Sequence, residues 1–175
     1  MARISRVTYE NASDEVKQVM DGHKAKGYRI TNMKETLLHS IPAFQALEDG
    51  VYGMIETVQT FLGKRATEFL GYAISAENDC LICSNYFRKI LVDQGIDFDT
   101  FEFTDEENLL IAFGRAYTQN AAHIPDELLD ELAARYSEKQ IVEITAYAAM
   151  IVANNTFNNA LQVDLDDYLL PYQKK

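Results

Sequence analysis

A chain of 175 residues, 47% hydrophobic and 25% charged, has the composition of one soluble globular domain and excludes a fibrous repeat or a disordered segment. With 16 Lys+Arg against 27 Asp+Glu, a formal charge of -11 gives phosphate backbones and anionic lipids no attraction, so neither nucleic acid nor a membrane is an expected partner. No apolar run reaches the ~20 residues of a membrane span, and Met1 to Ser5 lead into polar sequence instead of a signal-peptide core, so the expected location is cytoplasmic.

Ser13, with Asp14 and Glu15 behind it, has the form of an N-cap and an acidic first turn, and Val16, Val19, Met20 and His23 supply an apolar stripe up to Gly27. Thr31 and Asn32, followed by Glu35, predict a capped short helix from Met33 to His39. It stops at Ser40-Ile41-Pro42, because the residue before a proline avoids helical angles. From Pro42 to about Leu62, apolar residues such as Phe44, Leu47, Val51, Ile55 and Val58 recur at steps of three and four. Gly63 breaks this pattern, and Lys64 to Ala76 resumes it.

The segment Glu77 to Phe87 opens a further helix to Gln94, with Gly95 as a left-handed cap. Thr104 and Glu107 form a capping box for Asp105 to Gln119, Pro125 suits the first turn of a helix reaching Tyr136, and Ser137 with Gln140 opens a long helix to about Leu161. Three capping patterns and no alternating strand predict a single all-α domain over 1–175. The polar tail from Asp164 to Lys175 is expected to be loosely attached or used at a subunit contact.

The chain's two cysteines, Cys80 and Cys83, stand at the spacing that lets two thiols close a disulfide across one helical turn. Three readings fit them: a redox couple, half a metal site, or small apolar side chains sharing a helix face with Phe87. A metal site needs two further ligands, and His23, His39 and His123 are scattered, so no metal and no cofactor are expected. An N-cap at Asn78 or Asp79 would set Cys80 in the first helical turn, where free amides favour a thiolate, while the carboxylates of Glu77 and Asp79 oppose it. Glu68 reads by periodicity as a solvated charge one turn after Arg65. On a continuous helix it would stand ~18 Å from Cys80, so only a reversal of the chain near Ser75 to Asp79 brings it beside the thiols.

The order Glu68, Ser75-x-x-Asn78-x-Cys80-x-x-Cys83 resembles the motif of the carboxymuconolactone decarboxylase-like superfamily, and within it the AhpD-like alkylhydroperoxidases. The resemblance covers roughly residues 30 to 165, from Thr36-Leu37-Leu38-His39-Ser40-Ile41-Pro42 to the Asn154-Asn155 helix end. It implies an AhpD-like bundle of about seven to eight helices that assembles into homo-oligomers. It implies a thiol-dependent peroxidase or disulfide oxidoreductase acting on a hydroperoxide or disulfide, with electrons from a lipoyl or thioredoxin-like dithiol. The implied roles are Cys83 as the attacking thiol, Cys80 as the resolving thiol and Glu68 as the acid/base group.

Two positions depart from that family. Its well-studied peroxidases carry histidines where this chain has Ile82 and Phe87. Apolar neighbours raise a thiol's pKa, which on physical grounds makes Cys80 the more reactive sulfur, the reverse of the family roles. Tyr72 lies one turn from Glu68, within reach of a hydrogen bond but equally suited to packing. Asn154, Asn155, Asn158 and Asn159, poor helix formers near a helix end, are expected to bond neighbouring backbone or another subunit. The alternatives are a lyase of the carboxymuconolactone decarboxylase type and a non-catalytic helical oligomer.

Overall fold

The computed structural model describes residues 2–173. Met1, at the head of the polar start, and Lys174 and Lys175, at the end of the tail, lie outside the described residues. Among the described residues seven α-helices follow in order: α1 (Asp14–Ala25), α2 (Asn32–Leu37), α3 (Ile41–Glu77), α4 (Leu81–Asp93), α5 (Asp105–Asn120), α6 (Asp126–Arg135) and α7 (Glu138–Leu161). Short 3-10 turns cover Ala121–His123 and Asp167–Tyr172, and no strand occurs among the described residues. The all-α expectation is met, and no helix described is long and apolar enough to cross a membrane.

The helices start where a side chain can satisfy their first free amides. Ser13, Thr31, Ser40, Thr104 and Ser137 each accept from the amide three residues on, and the last two complete capping boxes with Glu107 and Gln140. Thr31 does not complete one. Helix α2 begins at Asn32, which puts Lys34 and not Glu35 at the third position, and the Lys34 side chain turns into the interior.

Helix α3 is the axis of the fold. Gly63, at φ +74° and ψ 168°, interrupts it as the sequence predicts, and the half beyond buries nearly every residue from Ala66 to Ser75. Helices α4, α5 and α7 pack around that half, and Leu70, Ile74, Phe87, Leu110, Phe113 and Tyr147 make its core. Burial of each such side chain contributes roughly 1.5–3 kcal/mol. Helices α1 and α2 close the other end over Met20, Met33, Leu37, Leu38 and Phe44.

The tail is a correction. Residues 163–172 dock against α4 and α2: Leu169 is fully buried beside Cys80 and Ile82, Asp166 accepts from the Asn32 amide at 3.0 Å, and Arg29 stacks on Tyr168 at 4.3 Å. The sequence around Asp164 looks polar because the apolar residues Val163, Leu165 and Leu169 are spread among acids.

Gly71 marks the tightest approach of α3 to its neighbours. A Cβ there would overlap the Phe87 ring of α4 and stand 2.6 Å from the Tyr147 hydroxyl of α7. Overpacking of this kind costs ~1–3 kcal/mol, so Gly71→Ala is expected to lower the melting temperature by several degrees. Gly53→Ala on the same helix, where nothing lies within 4 Å of the new methyl, should leave it unchanged or raised. Equal melting curves for both variants would show that the three helices do not meet at Gly71.

Candidate active site

The chain reverses at the end of α3 through a closure between Ser75 and Cys80. Asn78 caps the helix, Asp79 takes the left-handed conformation at φ +49°, the Asp79 amide donates to the Ala76 carbonyl at 3.3 Å, and the Cys80 amide donates to the Ser75 carbonyl at 3.0 Å. This paired closure usually places glycine at the left-handed position; aspartate is among the few other residues that tolerate it.

Cys80 therefore ends one helix and starts the next. It is itself the N-cap of α4, with its Sγ accepting from the Cys83 amide at 3.4 Å. The expected cap at Asn78 or Asp79 is thus displaced, because both are spent on closing α3. Cys80 is 1% exposed, roofed by Ile82 and Leu169, whereas Cys83 is half-buried and lines a cavity.

The two thiols are electrostatically unequal. Cys80 accepts hydrogen bonds from the Cys83 thiol, the Cys83 amide and the Asn158 side chain, and these outweigh burial to hold its pKa below the ordinary thiol value. Cys83, donating to Cys80, desolvated by the surrounding packing, and facing the charge that Cys80 carries when ionised, is pushed well above it. Both shifts favour Cys80, the inner sulfur, over Cys83 as the first of the pair to ionise. Asn158, 3% exposed, holds both: its Nδ2 lies 3.3 Å from Cys83 Sγ and 3.9 Å from Cys80 Sγ.

Two other asparagines of that quartet, Asn155 and Asn159, do what polar residues at a helix end are expected to do. Asn159 donates to the Asn78 carbonyl at 2.8 Å and Asn155 accepts from Ser75 Oγ at 3.3 Å, so α7 fastens the turn that presents the cysteines. Tyr72 is packing, against Phe98 with ring centres 5.3 Å apart. Ile82 and Phe87 are both core: Ile82 packs beside Cys80, and Phe87 fills the notch at Gly71.

Glu68 is not a solvated charge. It is 5% exposed, and burial, partly offset by Lys64, raises its pKa to about 7. Its charge reaches the hydroxyls of Tyr86 and Tyr147. Tyr86 lines the cavity with Cys83, but Glu68 does not. The structure brings Cys80 and Cys83 together and leaves Glu68 outside the wall.

The cavity is about 90 Å³ and mainly apolar, with Ile55, Phe87 and Ile151 facing Tyr52, Tyr86 and Tyr168. One part of its wall is charged. Lys34 and Glu48, 6% and 3% exposed, form an ion pair at 3.1 Å. Lys34 Nζ also donates to the Tyr52 hydroxyl at 2.9 Å and the Arg29 carbonyl at 3.0 Å, and lies 2.9 Å from His23 Nε2. Sequence reasoning passed over this cluster. Its signal was present: Lys34 stands at helical spacing from Leu37 and Leu38, and Glu48 from Phe44 and Val51, so two opposite charges occupy apolar stripes.

Solved structures resemble the chain over its length. The debrominase Bmp8 has a TM-score of 0.75 at 20% identity, covering 97% of this chain and 95% of that one; its cysteine-to-alanine variant in complex with 2,3,4-tribromopyrrole gives 0.76. An uncharacterised peroxidase-related protein with an alkylhydroperoxidase AhpD core, from Ralstonia eutropha JMP134, gives 0.70 at 17% identity over 96% and 94%. A protein of unknown function from Agrobacterium tumefaciens, likened to the antioxidant defence protein AhpD, gives 0.64 at 21% identity over 73% and 92%. The fold is AhpD-like. No protein-family model and no curated protein matches the sequence, so the AhpD-like likeness is one of backbone, and the chemistry rests on the side chains described above.

The burial of Glu68 has a pH signature. Its folded pKa of about 7 lies above the ordinary 4.5, so the folded state holds the proton more tightly and stability falls as pH rises between these values. Glu68→Gln is expected to be more stable than the parent by up to ~3 kcal/mol at about pH 8, with the difference vanishing below about pH 4.5. Urea titrations across that range check it; a difference independent of pH contradicts it.

Proposed function

We propose that this chain is a dithiol oxidoreductase that reduces a small hydroperoxide with Cys80 and Cys83. The observation that carries the reading is the division of labour between the sulfurs: Cys83 lines the cavity, while Cys80, buried against it, has its pKa held below the ordinary thiol value.

Attack starts with the Cys83 sulfur on the terminal peroxide oxygen. An S–O bond forms, the O–O bond breaks, and the Cys83 proton passes to Cys80, which reacts in its ionised form and accepts a hydrogen bond from that thiol. The leaving alkoxide takes a proton and departs as the alcohol. Cys80 then attacks the sulfenic acid on Cys83, forming the S–S bond, and hydroxide leaves with the Cys80 proton as water. The dithiol loses two electrons and the peroxide gains them. Cys80 in this scheme performs the deprotonation for which the family's peroxidases use histidine. Glu68 contributes through its charge on Tyr86, not by contact. A lipoyl or thioredoxin-like dithiol returns the disulfide to the reduced state, and copies of the chain associate through outer helix faces such as that of the exposed Val142.

A second reading is favoured by the likeness to Bmp8 and by the tyrosines around the cavity: the same dithiol reducing a bromoaromatic, with two thiols and Ar–Br giving disulfide, Ar–H and HBr. Release of bromide by the reduced protein separates it from the first.

In a coupled assay with an excess of small dithiol, Cys83→Ser and Cys80→Ser are each expected to abolish turnover of an alkyl hydroperoxide. Cys80→Ser should still accumulate one sulfenic acid at Cys83, trapped by dimedone and located by mass spectrometry. Continued turnover in both variants would sink the proposal.

A further inference from the structure

The proposed reaction leaves one component of the cavity wall without work, the Lys34–Glu48 pair. Burying two charges is expensive, and apolar residues of the same volume would serve packing at least as well. The pair is not confined to packing: both residues line the cavity that Cys83 lines. The hydrogen bonding around it is also incomplete. Glu48 Oε2 stands 3.1 Å from Lys34 Nζ as the partner in the ion pair, and Asp166 Oδ2 and Asn155 Nδ2, on residues that line the same cavity, are buried without a partner. Unsatisfied buried polar atoms are rare, and here they gather where a bound molecule would meet them.

Resting on the peroxidase reading, we propose that Lys34 and Glu48 together are the proton donor to the leaving oxygen of the hydroperoxide attacked by Cys83. The pair carries one transferable proton, shared between a carboxyl and an amine in low dielectric. The Cys83 proton goes to Cys80, the terminal O–H goes to sulfur as the sulfenic acid, and the proton of the pair goes to the alkoxide, which leaves as alcohol. The negative charge that began on Cys80 ends on the pair, which takes a proton back from solvent. Atoms, protons and two electrons balance.

The groups facing the pair suit this role. From α1, His23 has a pKa lowered to about 4 by burial and by Lys34, so at neutral pH it is an uncharged acceptor for the Lys34 ammonium. From α3, the Tyr52 hydroxyl is kept protonated by burial, and Asp49 raises Glu48 further. From the tail, Asp166 adds a negative field on Lys34. Burial lowers Lys34 and raises Glu48, which draws their proton affinities together, the condition for a proton that moves readily.

The test compares two reactions of one thiol. Stopped-flow oxidation of the reduced protein by alkyl hydroperoxides whose leaving alcohols differ in acidity needs a proton at the leaving oxygen; alkylation by iodoacetamide, which expels iodide, does not. The double variant Lys34→Met/Glu48→Leu replaces the pair with apolar residues and removes its two charges together. Glu48→Gln is the conservative second variant, and thermal melts establish that both fold. Oxidation is expected to slow about 10²-fold and to become more sensitive to the acidity of the leaving alcohol, while the alkylation rate changes less than about threefold. Variants oxidised at the parent rate overturn the role of the pair and leave the peroxidase reading standing, as do variants in which oxidation and alkylation fall together. A parent protein that no hydroperoxide oxidises overturns the peroxidase reading, and this role with it.

Discussion

The reversal from Ser75 to Cys80 is the constraint on which the site depends. Two amides donated back into α3, from Asp79 and Cys80, fix the exit of the chain, and the sulfur of Cys80 starts α4 by accepting the Cys83 amide. Sulfur is a weaker acceptor than the hydroxyl or carboxylate oxygens that usually occupy an N-cap. A thiolate is a better one, so the cap favours charge on the inner sulfur. The turn is in turn secured by α7, through Asn155 on Ser75 and Asn159 on Asn78, and the closeness of α7 to α3 requires glycine at position 71. Fold and thiol chemistry share one set of contacts.

From this follows a site with its charge in an unusual order. The sulfur that meets the cavity is the one whose pKa is raised, and the sulfur beneath it is the one whose pKa is lowered. In the proposed reaction the hydrogen bond between them lets Cys80, once ionised, act as the base for the outer thiol. In that reaction Cys80 supplies the proton acceptor that histidine supplies in the peroxidases the sequence resembles, and Ile82 and Phe87 serve packing, beside Cys80 and at Gly71. The cavity's other wall supplies opposite charges from α2 and α3, under a tail that closes over both walls.

Much of this was legible in the residues. The caps at Ser13, Thr31, Thr104 and Ser137 and the break at Gly63 are local chemistry, and local chemistry decides helix ends. The cysteine pair declared itself by spacing. What was not legible came from distant contacts: that Asp79 would accept a left-handed backbone so that Cys80 becomes the cap, that Asn158 would meet both sulfurs, and that an acidic tail would bury Leu169 on Cys80. Glu68 looked solvated because periodicity reports one helix, while its burial is set by the helices packed around it. Lys34 and Glu48 were readable as charges on apolar stripes, a signal that gains meaning only when the two stripes are known to face each other.

Site-resolved alkylation of the reduced protein tests most directly whether the outer sulfur reacts and the inner one governs it. Limiting iodoacetamide followed by peptide mass spectrometry, repeated over a pH series on the parent and on Cys80→Ser, reports both. The expected result is label on Cys83 with Cys80 spared, and a clear change in the pH profile of Cys83 labelling once the Cys80 sulfur is gone. Label appearing first on Cys80, or a Cys83 profile indifferent to the loss of its neighbour, would contradict the coupling of the two sulfurs.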